Sequence, residues 1–382
     1  MGTVEARMEQ SVLERIAGHV SGLIQSQGLK RGAPLPSYRE LSAELGVAYT
    51  SVKLAMDVLV RQGVVVRQRA RGCYVNRELS PRGRPLKTVA IVHTASQPHL
   101  FTQPYLTQIL QGISGGGAQL DLQIYTMREQ GFVTAAQLAD RGVDGVILLG
   151  VESDAFLGEF AAWGLPGVVV DQYAAGIPLD FVACDNAAGA QRAVRHVVAL
   201  GHRKIRFVGI EPHHVALVGY DKDAPLELRS SDHHERREAA IHALATSPGV
   251  RWDDVILPHR EARQGEAATA ILRSLAAQWR HEADRPTAFL VDGDELAAEL
   301  IRVLTVQGVA VPADVSVCAV ARAAAASPHG DALSGSCFDF VGMGRTAVEL
   351  LRARCARTAP APAVHRIGFQ FEDGSTCGRG AH

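Results

Sequence analysis

The chain has 382 residues, 47% of them hydrophobic and 21% charged, which exceeds one ordinary core and predicts a globular protein of two or three domains rather than a disordered one. No apolar run approaches the roughly 18 residues a membrane helix needs, and the opening MGTVEARMEQSVLERI lacks the basic-then-apolar pattern of an export signal, so a cytoplasmic protein with no membrane partner is expected. The net charge of −1 hides an asymmetry: residues 1–87 carry 14 Lys/Arg against 7 Asp/Glu, and residues 88–382 carry 25 against 33, which predicts a polyanionic partner for the first part alone.

In chain order, the first element is a helix over 8–27, on which Val12, Ile16, Val20, Leu23 and Ile24 share a face. Gly28 and Gly32 close it. Pro36-Ser37 opens the second helix, with Ser37 as N-cap and Glu40 three residues on, the spacing of a capping box. Leu41 and Leu45 face inward and Gly46 makes the turn. A third helix over about 48–62 buries Val52, Met56 and Leu59, and Gly63 caps it. Two short strands follow, VVV at 64–66 and CYV at 73–75, joined by the basic tip RQRARG. Helix, tight turn, helix and basic hairpin are the plan of a winged helix-turn-helix over residues 1–75, a module that docks on double-stranded DNA.

The stretch PLPSYRELSAELGVAYTSVKLAMDVLVRQGVVVRQRARGCYV, residues 34–75, resembles the GntR family of bacterial regulators over about 65 residues. The resemblance implies DNA contacts from Arg39, from Ala48, Tyr49, Thr50, Ser51 and Lys53 at the start of the third helix, and from Arg69 and Arg71 in the wing. Arg39, Thr50, Ser51 and Lys53 suit phosphate oxygens by charge or hydroxyl. The chain departs from the family where sequence is read. Ala48-Tyr49 replaces the usual Ser/Thr-Arg, removing the side chain best able to grip guanine, and Ala70 replaces a wing glycine. An altered operator preference is expected, with loss of DNA specificity as the alternative; Tyr49 can stack or meet a thymine methyl.

Residues 76–87, NRELSPRGRPLK, are rich in Pro, Gly and charge and read as a linker. Beyond it, strands are expected at 88–92, 122–126, 145–149, 167–171, 181–184, 204–209, 254–257, 287–291 and 315–320. Helices are expected at about 103–113, 132–141, 186–200, 233–246, 263–280, 294–307 and 343–356. Continuous apolar strands alternating with amphipathic helices predict parallel sheets covered on both faces. Nine such strands exceed one doubly wound unit, so two subdomains are expected.

The segment DFVACDNAAGAQRAVRHVVALGHRKIRFVG, 180–209, resembles the signature of LacI/GalR-type sensor domains. Further pieces follow in order: VDGVILLG, PGVVVD, ERREAAIHAL, PTAFLVDGDELAAELIRVLTVQGVAVPADVSV, MGRTAVELL and DGST. The resemblance covers about 290 residues and implies an α/β, two-subdomain type I periplasmic-binding-protein-like sandwich over 88–377. Subdomain one would hold about 88–182 and 339–356, and subdomain two about 183–320 and 362–377, with three crossings between them and a ligand cleft at the carboxyl ends of the strands. By position it implies effector contacts from Asp294, Arg236, Phe340, Asp171, Gln172, Ser96, Phe101 and Tyr105, with Arg260 where an aromatic is usual. Gly293 stands for the usual Asn, and Ala239-Ala240 for Gly-aromatic. Fewer rings and one more guanidinium leave an acidic or phosphorylated sugar open beside a neutral one.

The six cysteines, at 73, 184, 318, 337, 355 and 377, show no C-x-x-C spacing, so reduced thiols are expected rather than zinc or disulfides. GISGG at 112–116 fits G-x-S-x-G, but a helical run precedes Ser114 where a nucleophile elbow needs a strand. The adjacent pairs His213-His214 and His233-His234 do not share a helix face and are poor chelators. No enzyme activity and no cofactor are expected. The combined resemblance is to the arabinose-repressor branch of the GntR family. It implies a homodimeric, ligand-responsive regulator, a repressor of a carbohydrate-related pathway with a small polar effector. The alternatives are a sensor whose degenerate DNA module serves dimerisation or interaction, a hydrolase, and a transport binding protein, which would need export.

Overall fold

The computed structural model describes residues 2–30, 32–61, 64–68, 72–75, 85–93, 103–127, 133, 137–138, 141–151, 154–162, 165–174, 176–211, 232–258, 265–323, 332–356 and 358–380. Helices α1 (Gly2–Ser26), α2 (Tyr38–Leu45) and α3 (Tyr49–Arg61) precede the hairpin of β1 (Val65–Gln68) and β2 (Gly72–Val75). The capping box at the start of α2 is complete: Glu40 N–H donates to Ser37 Oγ at 3.3 Å and Ser37 N–H to Glu40 Oε2 at 2.7 Å. Gly46 ends α2 in the left-handed region, φ 63°, which a glycine enters without a Cβ penalty. Ile16, Val20 and Ile24 of α1 close over Leu41, Val52, Met56, Leu59, Val65 and Val75 in a core of their own. β1 and β2 pair antiparallel from Val65↔Val75 to Gln68↔Gly72. Gly63 and the wing tip with Arg69, Ala70 and Arg71 lie outside the described residues.

The rest of the chain builds two six-stranded sheets. In order of appearance the elements are β3 (Thr88–His93), α4 (Pro104–Gly116), β4 (Asp121–Thr126), β5 (Gly145–Leu149), α5 (Asp154–Ala162), β6 (Gly167–Val170), β7 (Asp180–Cys184), α6 (Asn186–Ala199) and β8 (Lys204–Ile210). There follow α7 (Asp232–Ala245), β9 (Arg251–Leu257), α8 (Gly265–His281), β10 (Ala288–Val291), α9 (Asp294–Val306), β11 (Ser316–Ala323), β12 (Ser334–Phe338), α10 (Phe340–Ala356), β13 (Val364–Ile367) and β14 (Phe369–Glu372). The first sheet runs β13-β7-β6-β5-β3-β4, all parallel. The second runs β14-β12-β11-β10-β8-β9, parallel except for β14.

The central strands of both sheets, such as β3, β5, β6, β10 and β11, are buried on both faces, which is why they are largely apolar runs. Along β3, Val89 and Ile91 join one core cluster while Ala90 and Val92 join another. Along β10, Phe289 and Val291 separate in the same way from Ala288 and Leu290. A period of two thus divides each strand between two helix layers, giving the expected α/β/α sandwich. Each fully buried aliphatic side chain on these strands contributes about 1.5–3 kcal/mol. On one face of the first sheet α4 and α10 approach closely, because a Cβ at Gly112 would sit 2.0 Å from Val341 O and one at Gly344 would sit 2.1 Å from Ile109 O. The GISGG run is therefore helix packing, with Ser114 inside α4.

Four elements go beyond the sequence pattern. α5, β12, β13 and β14 have no counterpart in it, and β12 supplies the second crossing, from Phe338 into α10. β13 pairs with β7 in the first sheet, Arg366↔Ala183, so 364–367 does not belong with the second sheet as expected for 362–377; only β14 does. The last crossing therefore falls at Gly368. The expected linker also ends early: Leu86 is buried in the first sheet's core and Lys87 N–H donates to Asp144 Oδ2 at 3.0 Å. Of the helix expected at 132–141, only residues 137 and 138 are described as helical.

Candidate effector cleft and DNA-reading face

The two sheets meet at the carboxyl ends of their strands. Ala321 and Ala323 at the end of β11 and Phe338 at the end of β12 share one buried cluster with Val182 and Cys184 at the end of β7. A row of rings crosses the same region: Tyr105 lies 5.6 Å from Phe340, Phe340 6.3 Å from Phe338, and Phe338 5.6 Å from Phe369. Parallel sheets place loops and helix N-termini at these ends, where ligands of open α/β folds bind.

Among the described residues, a buried polar cluster here is built from α6, α7 and the residue that follows β10. Asp292, just past β10, is 2% exposed. Arg236 Nε donates to its Oδ1 at 2.6 Å and His233 Nδ1 lies 2.6 Å from its Oδ2. Positions 233 and 236 are one turn apart on α7, so both side chains reach the same carboxylate. Burial alone would raise the Asp292 carboxyl, but the Arg236 and His233 charges outweigh it and hold it down to about 2. Arg236 Nη1 also donates to Asn186 Oδ1 at 3.1 Å. Arg236 thus holds the cluster together, and any ligand it meets finds a guanidinium already balanced by a carboxylate.

Asp294 opens α9. Its Oδ1 accepts from Glu295 N–H at 3.0 Å and its Oδ2 from Ala323 N–H at 3.1 Å, tying α9 to the end of β11. Burial raises its carboxyl above the ordinary value, against those hydrogen bonds and the nearby Arg322 charge. Each oxygen keeps a further lone pair for a ligand hydroxyl. In the first sheet, Asp171 follows β6 with φ 60°, a left-handed conformation that is uncommon for a residue with a side chain. Gln172 beside it is 3% exposed. Tyr105 and Phe340 pack on each other, and Phe340 is largely committed to the core. Ser96, Phe101 and Arg260 lie outside the described residues.

Several residues at these ends were not anticipated from the sequence. Besides Asp292, His233 and Asn186, there is an ion pair between the sheets: Arg366 on β13 donates to Glu235 on α7 at 2.9 and 3.0 Å and to Cys184 O at 2.9 Å. Arg322 on β11 is buried and bonded to Leu333 O and Glu372. The run HHERRE at 233–238 carries most of the charged residues of α7, yet which one turns to which sheet depends on the fold. Among the described residues, no group of three His, Cys, Asp or Glu is placed to hold a metal ion. The pair His213-His214 lies outside the described residues.

In the N-terminal unit, Arg39 on α2 and Ala48, Tyr49, Thr50 and Lys53 at the start of α3 are exposed, and Ser51 is half-buried. The Ala48 carbonyl accepts from Val52 N–H at 3.2 Å, but its methyl side chain cannot cap the helix. Tyr49 leans on Tyr38, ring centroids 5.9 Å apart. The Tyr38 hydroxyl accepts from Arg67 at 2.7 and 3.1 Å, and Arg67 also pairs with Asp57.

A helix pair with a two-stranded hairpin, followed by two sheets with three crossings, defines a winged helix-turn-helix joined to a binding-protein-like sensor fold. Residues 13–75 match the family of bacterial regulatory proteins, gntR family, and residues 194–377 match the periplasmic binding protein-like domain. The chain therefore carries a gntR-family regulatory domain ahead of a periplasmic binding protein-like domain. It is 29% identical over 217 residues to the uncharacterized HTH-type transcriptional regulator YvdE of Bacillus subtilis, a match covering 56% of this chain and 58% of that protein. It is 23% identical over 320 residues to the arabinose metabolism transcriptional repressor of Geobacillus stearothermophilus, covering 78% of each. The fold superposes on the structure of a transcriptional regulator CelR–cellobiose complex with a TM-score of 0.58 and 20% identity, covering 90% of this chain and all of that one.

Proposed function

We propose that the protein is a ligand-responsive transcription regulator that binds a DNA operator through its winged helix-turn-helix and an effector in the cleft between its two sheets. The observation that carries this reading is the joining, in one chain, of a gntR-family domain to a periplasmic binding protein-like domain. The relatives are named as transcription regulators, one a repressor of arabinose metabolism and one solved with cellobiose, so repression of a carbohydrate-related pathway is the form proposed here.

The effector proposed is a neutral sugar. Arg236 and Arg322 are each matched by a carboxylate, Asp292 and Glu372, and so offer less to an anion than a bare guanidinium does. Carboxylates such as Asp294 and Asp171 accept from sugar hydroxyls. Two operator half-sites call for two readers, so the working unit proposed is a homodimer in the cytoplasm. The effector acts by binding one arrangement of the two sheets more tightly than the other, which shifts operator affinity by the difference. Isothermal titration against neutral sugars, sugar acids and sugar phosphates tests this. Tight binding of a neutral sugar is expected; tight binding of anionic sugars alone would reject it.

A further inference from the structure

Helix α3 turns one face inward and leaves the other bare. Val52, Ala55, Met56 and Leu59 are buried, while Tyr49, Thr50, Lys53 and Leu54 are exposed on the opposite side. Positions 49 and 53, and 50 and 54, are i, i+4 pairs, so the four side chains make one continuous patch. Two of them are large and apolar: Tyr49 is 51% exposed and Leu54 55%. The patch is also fixed and free of uncompensated acid. Tyr49 rests on Tyr38, which Arg67 holds from the hairpin, and Asp57, one turn further along α3, is paired with that same Arg67. Lys53 and the exposed Arg39 of α2 supply positive charge.

The chemistry of the patch selects the base edges it can meet. In the major groove, guanine shows two acceptors, adenine an acceptor and a donor, and cytosine a donor. Ala48 and Leu54 can answer none of these, and Tyr49 has a single hydroxyl. Pressing Leu54 onto such edges would strip water from polar groups and give nothing back. The 5-methyl of thymine is the one apolar group on any major-groove edge. We propose that Leu54, together with Tyr49, reads thymine methyl groups, while Lys53, Thr50 and Arg39 hold the flanking phosphates. This rests on the DNA-binding reading above and deepens it: the family's guanine-reading arginine is replaced here by a hydrophobic reader.

The test is in vitro selection of random duplex DNA by the full-length chain, followed by replacement of individual thymines with uracil, which removes only the methyl group. The expected result is an enriched site with T·A pairs at neighbouring positions. Uracil at those positions should weaken binding about three- to fivefold per methyl, the effect of exposing one buried carbon, and uracil elsewhere should change nothing. Leu54→Arg should move the selected base toward G·C. Because Leu54 is exposed, that variant should keep the wild-type Tm, which shows that a changed site is not misfolding. An enriched site that is rich in G·C, or that ignores uracil, would overturn methyl reading while leaving DNA binding intact. Failure to enrich any sequence would overturn both.

Discussion

Replacing Asp292 by Asn should destabilise the sensor's second sheet by about 2–3 kcal/mol at pH 7. The carboxyl is held from its ordinary 3.8 down to about 2, which corresponds to about 2 kcal/mol of preference for the charged form. Its side chain is 1% exposed, so solvent does not screen that interaction. Asn keeps the shape and can still accept from Arg236 Nε, but it leaves the guanidinium without its counter-charge. The cost therefore falls at or below the roughly 3–5 kcal/mol of a fully broken buried pair. The folded value lies below the unfolded one, so the stabilisation is fully present above pH 3.8 and is lost as pH falls through about 2. Urea unfolding of wild type and Asp292→Asn across that range is the assay. The difference between them should narrow as pH falls from about 4 towards 2. A difference under about 0.5 kcal/mol at pH 7, the size of an ordinary surface change, would refute the reasoning, as would a difference that does not depend on acid.

Three further outcomes follow from the same geometry. Asp294→Ala should weaken effector binding about 10- to 100-fold, the loss of a charged hydrogen bond, and leave DNA affinity unchanged; a variant that titrates like wild type would remove Asp294 from the cleft. Glu235→Gln and Arg366→Gln should show a coupling of about 1 kcal/mol in a double-mutant cycle on urea unfolding, the upper end for a partly exposed bidentate pair. Simple additivity would mean that the bond between the sheets holds nothing. Ala48→Ser should supply the missing N-cap of α3 and slow amide exchange in that helix by about 1 kcal/mol of added protection; unchanged protection would show that Ala48 is not the capping position.

The parts of the fold that the sequence reveals are those specified locally. Ser37 and Glu40 mark a helix start because the capping box needs only those residues, and Gly46 marks its end by the conformation it alone enters cheaply. GVILL and TVAIV read as buried strands because both sheet faces are covered. β12 is hidden because four of the five residues of SGSCF are small and give no β-branched apolar run, and they allow close approach: Ser336 Oγ donates to Gly189 O at 2.8 Å, and a Cβ at Gly189 would sit 2.7 Å from the Phe338 ring. β13 and β14 are four residues each, and their sheet membership is set by partners far along the chain, Ala183 and Cys337. The Asp292 cluster was illegible for the same reason. Nothing in DGD or HHERRE says that β10 and α7 bring these charges onto one another, so Arg236 read as a ligand grip when its first partner is Asp292.

The measurement closest to the central claim is the affinity of the full-length protein for its selected operator, followed by fluorescence anisotropy with and without a saturating neutral sugar found by calorimetry. Operator affinity should fall by about 5- to 150-fold with the sugar present, the usual range of coupling between sites, and Asp294→Ala should move that response to about 10- to 100-fold higher sugar concentration. An operator affinity that does not change while the sugar is demonstrably bound would contradict the account.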